Sequence, residues 1–417
     1  MSLCESLLGE RGETSGAALA REALSAYVAL DTRCRDEFFD VLARDYSPAP
    51  DDVGRAADAY RFDPTPEHLI RLQEAIEPPR QELFRRLNVA PGATAVLIEM
   101  RRLVLAGEAK HPQWRVIDAD LLHLLRSWFN RGFLKLDRID WHTSAIVLEK
   151  LIQYEAVHAI QGWGDLRRRL EADRRCFAFF HPQLPDEPII FIEVALTRGM
   201  SAHVQPLLDV GASVDTGTGA DSAMFYSITN CQEGLRGISF GNLLIKQVAE
   251  ELKREFPHLR TFATLSPIPG FRRWLDKTRV RLAMGAEGEE RLALLAPMEQ
   301  PGWPQREVPE ALAQLLLQLC AWYLLHAKKG AEPLDAVARF HLGNGAALER
   351  LNWLGDTSEQ GMQRSAGMMV NYVYRLDDVE RNHERYFGQH LVVASRAIGK
   401  LARACPLAAQ ATDGAGA

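Results

Sequence analysis

No two of the six cysteines form a Cys-X-X-Cys pair. Cys4, Cys34, Cys176, Cys231, Cys320 and Cys405 are scattered through 417 residues. That spacing favours reduced thiols in a cytosolic protein and speaks against a zinc knuckle. There is no HExxH and no GxSxG. Long apolar runs are also missing. The most apolar stretch, Ala311 to Leu325, is shorter than the roughly 20 residues a membrane span needs. Gln314 and Gln318 put a polar stripe on it, so it reads as a core helix and no membrane partner is expected. The net charge of −6 argues against a nucleic-acid partner. The opening MSLCESLLGERGE is acidic, with neither a basic n-region before an apolar run nor an Arg-rich, acid-poor character. The closing Gly-Ala-Gly-Ala is no SKL-type address. The expected location is the cytoplasm.

What is present is an ordinary globular composition, 47% apolar and 25% charged, long enough for about two or three domains. Residues 1–120 read as all-helical. Ala17 to Leu30 is apolar on one face, Ser47-Pro48-Ala49-Pro50 breaks the chain, and Asp51 to Tyr60 is a short helix. Thr65 caps the next helix, with Pro66 at its first position. Pro78-Pro79 interrupts, and Pro91-Gly92 precedes a helix from Ala93 to Leu105. Short helices joined by proline turns suggest a bundle used for packing or oligomerisation. A second domain is expected over 121–405, with a disordered tail over 406–417. Strands are expected between about 176 and 266, at Cys176–Phe180, Ile189–Leu196, Ala223–Thr229 and Thr261–Leu265, with helices before and after. Glu193, inside an apolar run, faces a cavity or an edge.

The organising stretch runs from Ala223 to Leu275. A β-prone run is followed by a loop containing Gly234, Gly237 and Gly241. From Phe240, apolar positions Leu244, Val248 and Leu252 recur every fourth residue, the mark of an amphipathic helix. Pro257 stops it, and a second strand delivers Ser266 into a Pro-Ile-Pro-Gly turn. A glycine loop opening a helix offers backbone N–H groups and a positive dipole end, which suit a phosphate. Taken alone, the unit is equally an ordinary βαβ element. Gly217-Thr218-Gly219 is followed by a strand rather than a helix, so the dinucleotide fingerprint fails.

Four separated segments carry a resemblance: FYSITNCQEGLRGISFGNLLIK, LSPIPGF, ARFHLGNGA and NYVYRL. In this order they resemble the malonyl-CoA decarboxylase family, with further similarity in HPQLPDEPIIFIEVALT and WFNRGFLKLDRIDW. The resemblance implies an α+β chain: a helical domain used in assembly, then an acetyltransferase-like (GNAT) α/β catalytic domain with extra helices. It implies conversion of malonyl-CoA to acetyl-CoA and CO2, no cofactor, and a homo-oligomer, a tetramer. A CoA-dependent acyltransferase and a non-catalytic malonyl-CoA sensor are the competing functions.

The resemblance also assigns residues. Ser266 otherwise reads as a serine starting a turn; within LSPIPGF it matches the family's catalytic serine. His341, in Phe340-His341-Leu342-Gly343-Asn344-Gly345, reads as a structural histidine or as an imidazole presented by a tight glycine loop; the match makes it the catalytic histidine. Tyr374 matches a tyrosine near the family's active site and would polarise the histidine or line the pocket. Arg236, Gly237, Ile238, Ser239, Phe240, Gly241 and Asn242 would grip CoA, mainly through backbone N–H groups. Family members often carry Glu where Ser239 stands, which removes any carboxylate role there. Arg272 and Arg273 would either meet a CoA phosphate or be solvated.

Overall fold

The computed structural model describes residues 1–9, 13–129, 131–238, 244–284, 287–300, 302–306 and 308–408. The chain divides into two compact units. One contains Met1–Leu136 with Phe179–Ile189 and Asn230–Phe240; the other contains Asp137–Ala178, Ile190–Thr229 and Gly241–Ala417.

The first unit is helical, as the proline-punctuated sequence predicts. Among its described residues the helices are α1 (Ser2–Gly9), α2 (Glu13–Val28), α3 (Thr32–Asp45), α4 (Pro50–Phe62), α5 (Pro66–Ile76), α6 (Pro79–Leu87), α7 (Ala93–Gly107) and α8 (Arg115–Trp128). Thr65 caps α5 by accepting from the His68 N–H. Proline occupies the first position of α4, α5 and α6, where its missing N–H costs nothing. Pro78-Pro79 therefore starts a helix as well as interrupting one. Leu83, Phe84, Leu97, Leu121 and Leu125 form a buried seam. In contrast, α4 and α5 pack on each other and bury none of their own side chains.

The main sheet of the chain is mixed. Its strands are β1 (Lys135–Ile139), β2 (Arg174–His181), β3 (Leu184–Thr197), β4 (Ser222–Asn230), β5 (Thr261–Thr264) and β6 (Ser266–Pro267). A separate hairpin pairs β7 (Lys328–Lys329) with β8 (Glu332–Pro333), and β9 (Ala347–Asn352) and β10 (Met369–Val373) return to the main sheet. The order is β1-β2-β3-β4-β5-β10-β6, with β9 on β10. The helices that follow the strands are α9 (Ala145–Tyr154), α10 (Trp163–Arg169), α11 (Gln205–Leu208), α12 (Leu244–Glu255), α13 (Phe271–Leu282), α14 (Gly288–Leu295), α15 (Glu310–His326), α16 (Ala336–Gly343), α17 (Glu359–Ser365), α18 (Val379–Gln389) and α19 (Arg396–Arg403). Ala195, Met224, Tyr226, Ala263, Leu265 and Met369 form one core cluster against the sheet.

The β4–α12–β5 unit matches the sequence reading. β4 and β5 are parallel, in register from Ser222↔Thr261 to Phe225↔Thr264. A parallel neighbour requires a crossover, and α12 supplies it. Past Phe225 the two strands part. β4 continues to Asn230, while β6 follows β5 and pairs with β10 at Val370↔Ser266.

Strands are not confined to 176–266. β1 lies before that window, and β9 and β10 lie within the region read as helical. Ala347 to Asn352 contains good helix formers, but pairing with β10 overrides their propensity. Leu407 is fully buried, so packed structure continues past Pro406; the tail over 409–417 lies outside the described residues.

Candidate active site

Ser266 and His341 are 75 residues apart in sequence and in contact in the fold. Ser266 Oγ lies 2.9 Å from His341 Nε2. On the other side of the ring, His341 Nδ1 lies 2.8 Å from the Tyr374 hydroxyl. Ser266 Oγ also donates to Thr264 Oγ1 at 2.8 Å. All four side chains are buried, with relative exposures of 6%, 3%, 1% and 0% for Ser266, His341, Tyr374 and Thr264.

Each position has a local cause. Ser266 sits in β6, pinned against Val370, and Pro267 and Ile268 carry the chain on toward α13. His341 is not on a glycine loop, as the sequence suggested. It lies in the last turn of α16. Asp335 starts that helix by accepting from the Ala338 N–H at 2.9 Å. The glycines act just beyond it. Gly345 has φ +81°, and a Cβ there would lie 2.1 Å from the Val379 carbonyl oxygen. Only glycine permits both the backbone conformation and the close approach that end the helix behind the imidazole.

β10 supplies the aromatic surround. Tyr372 lies on β10 and Tyr374 just past its end. Tyr372 stacks on the imidazole with centroids 4.6 Å apart and planes at 27°. The β9–β10 register shifts between Asn371 and Tyr372, an irregularity of the kind that re-aims side chains. Asn371 Nδ2 then donates to the Thr264 carbonyl at 2.8 Å. Burial pushes the His341 pKa down to about 3 and holds the Tyr374 phenol well above its ordinary value. At neutral pH both are therefore uncharged, one an imidazole and the other a phenol. Tyr374 backs the histidine. In the sequence, Thr264 is marked only by its alternation with Ser266 along the strand, and Tyr372 by no signal of its own.

The glycine loop is only partly described. Ser239, Phe240, Gly241 and Asn242 lie outside the described residues. The Arg236 N–H donates to the Glu233 carbonyl and the Ile238 N–H to that of Leu235, each at 3.0 Å. Those two amides are committed to local turns, so the expectation that they grip a phosphate fails for them. Gly237 has φ +81° with open space where a Cβ would stand, so its requirement is conformational. The tight approach is at Gly234, where a Cβ would lie 2.0 Å from the Ile98 carbonyl oxygen. Buried Arg101 clamps this loop. Its Nη1 donates to the Gly234 and Arg236 carbonyls at 2.7 and 2.8 Å, and its Nε to Asp118 at 2.8 Å.

Two other sequence candidates have different roles. Arg272 is engaged by Asp276 and Glu299. Glu193 is not at an edge. It lies on interior strand β3 with 1% exposure, and Arg169 donates to its Oε2 at 2.7 Å. Burial raises its pKa to about 8 against the pull of that guanidinium.

Comparison with known proteins follows the same division of the chain. Residues 46–129 match the family model described as the malonyl-CoA decarboxylase N-terminal domain, and residues 132–412 match that of the C-terminal domain. The mitochondrial malonyl-CoA decarboxylase of Anser anser anser is 36% identical over 353 residues, covering 79% of this chain and 70% of that protein. The Rattus norvegicus enzyme is also 36% identical, over 79% of this chain and 72% of its own. Crystal structures of malonyl-CoA decarboxylases from Rhodopseudomonas palustris and Agrobacterium vitis are 50% and 47% identical. They superpose with TM-scores of 0.91 and 0.90, each over 96% of this chain and 98% of the other.

Proposed function

The chain belongs to the malonyl-CoA decarboxylase family, and from that premise we infer that its Ser266–His341 pair carries the reaction. The protein is a carboxy-lyase that converts malonyl-CoA to acetyl-CoA and CO2. The bond between C2 and the free carboxylate breaks, CO2 leaves, and the electron pair moves into the thioester as an enolate. C2 then takes one proton, which solvent ultimately replaces. Because the thioester carbonyl accepts the electron pair, this chemistry needs no separate electron sink, and we propose that it proceeds without a cofactor.

The protein's task is to hold donors at the developing oxyanion in a poorly solvated site. The observation that carries the assignment is the buried 2.9 Å contact between Ser266 Oγ and His341 Nε2. The Ser266 hydroxyl donates to the enolate oxygen, the neutral imidazole supports it, and Tyr374 holds the imidazole. Ser266 is not an acylated nucleophile, since the substrate is already a thioester and no acyl group is transferred. The CoA pyrophosphate is assigned to the glycine loop that precedes α12 in the sequence, Gly237 with residues 239–242, because a glycine loop opening a helix suits an anion.

The test is direct. Purified protein is mixed with malonyl-CoA in chelator-treated buffer, and acetyl-CoA is followed. Rapid conversion is expected. Binding without product would leave the sensor reading, and turnover of acetyl-CoA only with an added amine would leave the acyltransferase.

Residues 1–120 are proposed as the assembly domain and 121–405 as the catalytic domain. The α4–α5 hairpin is the proposed contact of a homotetramer, because Phe62, Ile70 and Ile76 are 95%, 54% and 49% exposed on helices that bury nothing. Light scattering is expected to show a smaller species for Ile70→Glu than for the parent. A monomeric parent, or an unchanged assembly, would reject this contact. The proposed location is the cytoplasm, whose reducing conditions suit the free thiols Cys4, Cys34, Cys320 and Cys405. Among the described residues no helix is long and apolar enough to cross a membrane. Fractionation of the tagged protein tests the assignment.

A further inference from the structure

The two hydrogen bonds to the imidazole do not by themselves say which nitrogen carries the hydrogen, because a ring nitrogen can give or take in each. The bond on the far side of Ser266 decides it. Ser266 has one hydroxyl proton, which goes to Thr264 Oγ1 at 2.8 Å. Toward His341 the same oxygen can then only accept. Nε2 therefore carries the hydrogen, and Nδ1 accepts from the Tyr374 hydroxyl. Burial, which keeps that phenol protonated, agrees with its being the donor.

Thr264 is fixed for this task from two directions. The Tyr372 N–H donates to its Oγ1 at 3.2 Å, and its own carbonyl accepts from Asn371 Nδ2 at 2.8 Å. The Tyr372 N–H takes one lone pair of that hydroxyl oxygen, and the Ser266 hydroxyl takes the other.

We propose that Thr264 is a positioning residue that sets the direction of the chain Tyr374→His341→Ser266→Thr264, and so keeps the Ser266 hydroxyl proton available for substrate. The proposal deepens the decarboxylase assignment and rests on it. When negative charge develops on the thioester oxygen, the Ser266 O–H rotates from Thr264 to that oxygen; the rotation makes and breaks no covalent bond. The Nε2–H stays on Ser266 Oγ and strengthens its donation, because hydrogen bonds in a chain polarise one another. In the opposite direction the Ser266 proton would be spent on the imidazole. Thr264 acts through Ser266 and touches no substrate.

The test reads the tautomer and the rate separately. Nitrogen-15 NMR of histidine-labelled protein is recorded, with the His341 signals identified by their loss in His341→Asn. The parent is expected to show hydrogen on Nε2. Thr264→Val is expected to move it toward Nδ1 and to lower kcat about tenfold, the scale of one net hydrogen bond, with KM unchanged. Thr264→Ser, which keeps the hydroxyl, restores both. Hydrogen on Nδ1 in the parent would overturn the proposal even if Thr264→Val fails to fold. So would a Thr264→Val enzyme that is slower yet keeps the parent tautomer, since that is the mark of a merely structural role. Absence of acetyl-CoA from the parent would instead reject the decarboxylase assignment and leave the tautomer result standing.

Discussion

His341→Asn lowers kcat for malonyl-CoA decarboxylation by about 10²–10⁴-fold, the range for a positioned proton-handling group, and leaves KM close to the parent's. The imidazole is buried behind Ser266, so its support is used as charge develops and contributes little to initial binding. Ser266→Ala produces a loss of the same order. The double variant costs little more than the larger single one, because the two side chains act as a unit. Steady-state kinetics on the three variants checks this. An asparagine enzyme as fast as the parent would remove His341 from the mechanism.

The same burial fixes the pH behaviour. With its pKa pushed down to about 3, His341 is uncharged through the neutral range. The kcat profile of the parent should therefore show no limb near the ordinary histidine value. A limb there that disappears in His341→Asn would mean that an imidazolium is the acid. Stability carries the opposite side of this linkage. Between about pH 6.5 and pH 3 the unfolded chain binds a proton at this histidine and the folded chain does not. The contribution therefore falls as pH falls, and the parent loses more stability on acidification than His341→Asn does.

How much of this was legible depended on the range over which each signal acts. The β4–α12–β5 unit was readable because a β-prone run, a four-residue apolar repeat and Pro257 are local features. The expected strand over Thr261–Leu265 agrees closely with β5, which ends at Thr264. The motif marks His341 but not its setting: Gly343 and Gly345 suggest a loop, while Asp335 starts a helix. β9 was hidden because Ala347, Leu348, Glu349 and Arg350 favour a helix, and only pairing with β10 makes them a strand. Thr264 and Tyr372 carried no sequence signal beyond alternation. Their roles arise from the β5–β10 pairing, which joins residues more than 100 positions apart. The Arg101 clamp on the glycine loop is equally remote, reaching over 133 and 135 positions.

Arg169→Ala should destabilise the protein by about 3–5 kcal/mol, the range for removing one partner of a buried ion pair. Arg169 ends α10 with 3% exposure and donates to Glu193 Oε2, to both oxygens of Asp165 and to the His158 carbonyl. Alanine would leave the Asp165 carboxylate and the Glu193 carboxyl group, at 1% exposure, without their donor. The loss depends on pH in a defined direction. Burial has already raised the Glu193 pKa to about 8 with the guanidinium present, and removing that cation raises it further. Above its ordinary pKa near 4.5, the unfolded chain releases this proton while the folded chain retains it. Stability contributed by the group therefore falls as pH rises toward 8. In the parent this fall levels off above pH 8, where Glu193 ionises, but in Arg169→Ala it continues, so the variant's deficit should be larger at pH 9 than at pH 5 in denaturant titrations. Adding Glu193→Gln should recover part of the loss at pH 9 and much less at pH 5, where Glu193 is already protonated. Equal losses at pH 5 and pH 9 would mean that removing Arg169 leaves the Glu193 titration unchanged, and that the guanidinium matters for its packing and its bonds to Asp165 and His158.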